Sequence, residues 1–147
     1  HLLIRRNKSM NLRGLVSVTG KPGLFKLIGQ NKGGFILESL DAAKVKIVIN
    51  MSNSKMATLE DITIYGDEEE IRLLDIFETL KTSDIEIPAV KADGTTLRNF
   101  FREVAPGHDE SRVYSSDIKK VITWYTIIKE LPLFNEEAPE PLGEEQA

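Results

Sequence analysis

His108 is followed by Asp109, Glu110 and Ser111, so a histidine, two carboxylates and a hydroxyl fall within four residues. These are the parts of a nucleophilic triad, in which a histidine takes the serine proton and a carboxylate orients the imidazole. Neighbours on one loop do not by themselves present that geometry. The expectation is a solvated loop histidine after the turn at Pro106-Gly107. Gly14 to Pro22 reads GLVSVTGKP and invites comparison with a phosphate-binding loop. Five residues separate its glycines where that loop has four, and proline follows Lys21 where a magnesium-binding hydroxyl is needed. Glu68, Glu69 and Glu70 offer oxygens to a cation but lack the alternating ligands and central glycine of a calcium loop. No catalytic, metal or cofactor-binding residues are expected, and no cofactor.

Composition narrows the chemistry further. The 147 residues contain no cysteine and two histidines, His1 and His108. A disulfide framework, a thiolate zinc site, an iron–sulfur cluster and a cysteine nucleophile are thereby excluded. The net charge is −4, with 41% hydrophobic and 29% charged residues, an ordinary globular balance. Apolar runs extend over a few residues, far below the roughly 20 that span a bilayer, so no membrane role is expected.

Recognition residues are the remaining candidates. Lys44 and Lys46 are expected on one strand face, with Lys26 and Lys32 on a neighbouring hairpin and Lys21 in a turn. Tyr65 is the one aromatic expected to point outward from the sheet, since Phe25 and Phe35 read as core. Lys26, Lys44, Lys46 and Tyr65 are therefore the candidate macromolecule-binding residues. Trp124 and Ile127 flank the apolar face of a predicted helix and are the candidate self-association residues.

Two kinds of periodicity position these side chains. From Leu12 to Tyr65 apolar and polar residues alternate: Val16 and Val18, Phe25 and Leu27, Phe35 and Leu37, Val45 through Met51, Ile62 and Ile64. Each run predicts a half-buried strand. Lys21-Pro22-Gly23-Leu24 suits a type II turn, Asn31 to Gly34 a hairpin loop, and Thr58 to Asp61 a short helical turn. After Asp67 the period becomes helical. Asp67 to Glu70 is expected to cap a helix that buries Ile71, Leu74, Phe77 and Leu80. A second helix is expected over about Thr96 to Val104, on Leu97, Phe100, Phe101 and Val104. A third is expected after a cap at Ser115 or Ser116, on Ile118, Val121, Ile122, Tyr125 and Ile128.

The fold expected is α+β: a small antiparallel β-barrel or bent sheet (SH3-like), then an α-helix and a C-terminal helical hairpin. Residues 1–9 read as an extension, 10–82 as the barrel-like domain with its trailing helix, and 83–94 as a linker. Residues 95–134 read as the helical hairpin and 135–147 as an acidic, disordered tail with five glutamates. Residues 10–66 carry net +3 and residues 67–134 net −5, so the sheet half is mildly basic and the helical half acidic.

The stretches NLRGLVSVTGKPGLFKLIGQNKGGFILESLD and TLEDITIYGDEEEIRLLDIFE resemble the opening domain of a family of small Bacteroidota proteins. FFREVAPGHDESRVYSSDIKKVITWYTII resembles that family's helical second domain. Both are domains of unknown function. The resemblance covers about Met10 to Leu131 and implies a bacterial cytoplasmic origin, a start at Met10 and no catalytic residues. His108 falls where the family would place an aromatic.

The function expected is that of a non-enzymatic cytoplasmic binding or adaptor protein recognising a macromolecule through the small β-barrel surface. A protein partner is expected first and RNA second. The alternative is a structural homodimer assembled through the helical hairpin, with no nucleic-acid role.

Overall fold

The computed structural model describes residues 10–50, 52 and 54–136. The extension 1–9, Met51 and residues 137–147 of the acidic tail lie outside the described residues.

Strands β1 (Leu15–Val18), β2 (Lys21–Asn31), β3 (Gly34–Ser39), β4 (Lys46–Ile49) and β5 (Met56–Thr58) form one antiparallel sheet in the order β4-β3-β2-β1-β5. No ladder joins β4 to β5 among the described residues, so the sheet is open rather than a closed barrel. The fifth strand is not the Ile62–Ile64 run that alternation suggested but the three residues Met56–Thr58. Such a run is too short to show a period.

The first turn also sits three residues earlier than expected. Val18 pairs with Lys21, so Thr19 and Gly20 close the hairpin, and Gly20 takes φ 87°. Pro22 and Gly23 lie inside β2 instead, where the register shifts between Val16 and Val18. A proline cannot donate to a ladder, and such a bulge is where a strand tolerates it. The second hairpin forms as expected: Asn31 pairs with Gly34, and the Asn31 side-chain oxygen accepts from the Gly33 and Gly34 amides.

One sheet face buries Val16, Val18, Leu37 and Ile49, with Phe25, Leu27, Phe35, Ile47 and Met56 around them. A larger core takes Leu12, Leu15, Leu24 and Leu59 from the sheet half and joins them to the helices. After a 3-10 turn at Leu59–Asp61, strands β6 (Thr63–Ile64) and β7 (Ile71–Arg72) pair as a separate ladder. This overturns the expected helix start. The pairing of Ile64 with Ile71 draws residue 71 into a strand, and Asp67 to Glu70 become the exposed connection between the two strands.

Helix α1 (Leu73–Thr82) begins after Arg72 and buries Leu73, Ile76, Phe77 and Leu80. Leu74, assigned to the buried stripe by spacing, is only half-buried. Helix α2 (Gly94–Val104) is capped by Asp93, whose carboxylate accepts from the Thr96 amide, and buries the four residues expected. Helix α3 (Ser115–Ile128) likewise buries its expected face. Its cap is Tyr114 rather than a serine, and the Asp117 carboxylate accepts from the Tyr114 amide. A 3-10 turn at Pro132–Asn135 then lays Phe134 edge-on against Tyr125, with ring centroids 5.8 Å apart. Asn11 fastens this end by donating its amide to the Leu133 carbonyl and its side chain to Glu136.

Phe77 is fully buried and packs on Tyr125 with centroids 5.6 Å apart. Phe77→Ala is expected to lower unfolding free energy by about 3–5 kcal/mol, as removal of a buried aromatic does. Leu74→Ala on the same helix should cost clearly less. Urea unfolding of both variants checks the helix register.

Candidate functional site

The sequence-predicted lysines do not form a uniform basic face. Cross-strand register places Glu38 directly between Lys26 and Lys46. Opposite charges alternating across strands make a self-compensated row. Lys44 is not on that strand at all: it precedes β4 with φ 47°, its amide bonded to the Asp41 carbonyl. Ile28 and Val48 stand exposed beside this row.

A different set of cations converges. The β1–β2 hairpin and the outer side of α3 bound a groove of about 630 Å³. Lys21 and Pro22 line one wall, and Lys119, Lys120, Thr123 and Trp124 line the other. Ser17, Val18, Ala57 and Ile62 contribute to the lining, and no carboxylate does. The strand positions follow from the tight Thr19-Gly20 turn, which thrusts Lys21 out at the sheet's end. The helix positions follow from spacing: Lys120 and Trp124, like Lys119 and Thr123, are four residues apart and share a face. Among the described residues no ion pair engages Lys21, Lys119 or Lys120. Trp124 is half-buried, with part of its ring against the main core. Ile127 is also half-buried and packs on that core.

A second hollow of about 200 Å³ shares Ile62, Lys120 and Trp124 with the groove and extends it to Tyr65 and Asp117. Tyr65 is exposed, as expected, but the Arg112 guanidinium lies over its ring at 4.2 Å. The Tyr65 carbonyl accepts from the Asp109 amide, which fixes the residue to the loop before α3.

That loop corrects the reading of His108. The side chain is buried, 3% exposed, rather than solvated. Its ring lies edge-on to Phe101 with centroids 4.8 Å apart. Nδ1 is 2.9 Å from the Ala105 carbonyl oxygen and Nε2 is 3.1 Å from Arg98 Nη1. A neutral imidazole with its proton on Nδ1 satisfies both contacts, because the carbonyl only accepts and the guanidinium only donates. The Ser111 hydroxyl donates to Asp109 at 2.7 Å, not to the histidine. The triad contacts between nucleophile and base are therefore not made. Among the described residues no three His, Asp or Glu side chains are grouped to hold a metal ion, and no helix is long and apolar enough to cross a membrane.

Sequence reasoning missed Lys119 and Lys120 as site residues. Their signal was present as adjacent lysines one turn before Trp124, but their convergence with Lys21 depends on the tertiary fold.

The loop also holds two carboxyls well below their ordinary range. Asp109 is brought to about 2 by hydrogen bonds from the Ser111 hydroxyl and Arg112. Glu110 is brought to about 2 by its hydrogen bonds with Arg102. A depressed folded-state value stabilises the fold above the unfolded value, about 4, and that contribution is lost as pH falls towards 2. NMR titration of the side-chain carboxyls should show both ionised at pH 3. Arg102→Gln should return Glu110 towards its ordinary range while Asp109 keeps its low value.

Comparison with known proteins divides the chain near residue 60, so the helix Leu73–Thr82 falls in the second matched domain rather than trailing the first. A domain of unknown function, DUF5606, matches residues 12–59, and a second, DUF6852, matches residues 62–128. The chain is similar to a protein from Bacteroides vulgatus solved by solution NMR, at 36% identity and a TM-score of 0.63. The similarity covers 89% of this chain and 94% of that one. No curated protein matches. The chain belongs to the family in which these two domains of unknown function follow one another along a single polypeptide.

Proposed function

We propose that the protein is a non-enzymatic binding or adaptor protein that takes an acidic segment of a partner protein along the groove between the β1–β2 hairpin and α3. The carrying observation is the convergence of Lys21, Lys119 and Lys120 on Trp124 in a groove lined by no carboxylate. Three like charges held near one another repel, and an anionic occupant relieves that repulsion. Trp124 and Ile62 offer apolar area beside the ammonium groups, so a segment mixing carboxylates with an apolar side chain fits the lining best. In this reading the open, bulged sheet acts as an SH3-like recognition platform, with the helical hairpin supplying the second wall. A chain without cysteine suits the reducing cytoplasm, where we place its action.

An acidic peptide is favoured over RNA on aromatic grounds. Single-stranded RNA recognition relies on ring faces that bases can stack on. Arg112 covers one face of Tyr65, and Trp124 is partly packed into the core. The homodimer alternative draws on the same half-exposed Trp124, together with Ile127.

The test titrates a polyglutamate peptide into the protein while following Trp124 fluorescence, the chain's only tryptophan. Binding should weaken at least about tenfold between 50 mM and 500 mM salt, as expected for screened charges. Lys119→Gln with Lys120→Gln should weaken it by a similar factor, and Lys26→Gln with Lys46→Gln should leave it unchanged. Binding of an RNA oligonucleotide but not polyglutamate would overturn the acidic-segment reading. A doubled mass in light scattering with no response to either probe would favour the homodimer.

A further inference from the structure

We infer that the groove has an occupant within its own chain: the acidic segment 137–147, which competes with the partner and sets the affinity of the site. The inference rests on the groove reading above.

Three observations support it. The first is chemical complementarity. Residues 137–147 read EAPEPLGEEQA, with four glutamates, one leucine and no basic residue. The groove offers the matching set: three lysines with the apolar surface of Trp124 and Ile62, and no carboxylate. Pro139 and Pro141 lack amide donors, so this segment would be held by side-chain charge rather than by joining a sheet edge.

The second is where the described chain ends. Phe134 lies on Tyr125 of α3, and Glu136 is held by Asn11. Tyr125 follows Trp124 directly and lies five or six residues from Lys120 and Lys119 on the same helix. At about 1.5 Å per residue those lysines are roughly 9 Å along the helix axis from Tyr125. Eleven further residues span up to roughly 36 Å when extended. The extended length of the segment exceeds this axial offset about fourfold.

The third is a matter of magnitude. Screened contacts between exposed charges are individually weak, each about 0.2–1 kcal/mol. Three of them would give a free peptide a dissociation constant only in the millimolar range or weaker. A tethered segment meets the groove at an effective concentration in the millimolar range as well. Partial occupancy in cis therefore needs no tight contact, and a partner must compete with it.

The experiment uses the full chain. Glu137, Glu140, Glu144 and Glu145 are replaced together by glutamine. Polyglutamate binding is then compared with that of the unaltered protein by Trp124 fluorescence. Affinity for polyglutamate should rise by up to about twofold, the relief expected when the effective concentration of an internal competitor and its dissociation constant are both in the millimolar range. The emission of the unliganded protein should shift as the groove empties, and high salt should produce the same shift in the unaltered chain. In a Lys119→Gln, Lys120→Gln background the four glutamate substitutions should produce no emission shift. Equal polyglutamate affinity in both chains, with emission unchanged, would overturn the competitor while leaving the groove reading intact. Absence of polyglutamate binding to either chain would overturn the groove reading itself. An emission shift that persists in the lysine-substituted background would place the segment's effect elsewhere and overturn the inference.

Discussion

The Arg98 guanidinium is the fastening on which the helical half depends. From α2 it donates through Nη2 to the Val113 carbonyl at 2.7 Å and approaches His108 Nε2 through Nη1. Val113 directly precedes the cap of α3, so this one side chain sets where α3 begins relative to α2. His108, held at its other nitrogen by Ala105, fixes the turn that closes α2. The same loop bridges to Gly66 and accepts the Asp67 amide at the Gly107 carbonyl. In this way a half-buried cation and a buried imidazole orient the helix that carries Lys119, Lys120 and Trp124. Buried polar groups of this kind specify a structure when every member has its partner, and no described buried side-chain polar atom lacks one.

Local pattern revealed what local forces decide. The face of α2 was readable because Leu97, Phe100, Phe101 and Val104 follow helical spacing, whereas its start at Gly94 and its cap at Asp93 came only with the structure. The hairpin at Asn31 was readable because its side chain makes the turn contacts itself. The start of α1 was not. Four acids before an apolar run look like a first helical turn, and only the pairing of β6 with β7 converts them into a loop. The burial of His108 was equally hidden, since its partners Arg98 and Ala105 matter through space rather than through composition.

Site residues divide along the same line. Trp124 and Tyr65 stood out by type, and both border the connected hollows. The lysines stood out by charge, but charge without register misleads. Glu38 between Lys26 and Lys46 is invisible until the strands are paired. Lys21 and Lys119 are nearly a hundred residues apart, and only the packing of α3 beside β2 brings them to one groove.

The two family domains meet between Leu59 and Ile62, yet the larger core does not respect that border. Leu12, Leu15, Leu24 and Leu59 come from one side, and Phe77, Phe101, Ile118 and Ile128 from the other. Severing the chain there would leave each piece with an uncovered apolar surface fitted to the other. The two pieces would behave as obligate partners, soluble together and sticky apart. A lineage that inherited them separately would have to co-express them, and fusion into one polypeptide removes that burden by making their encounter intramolecular.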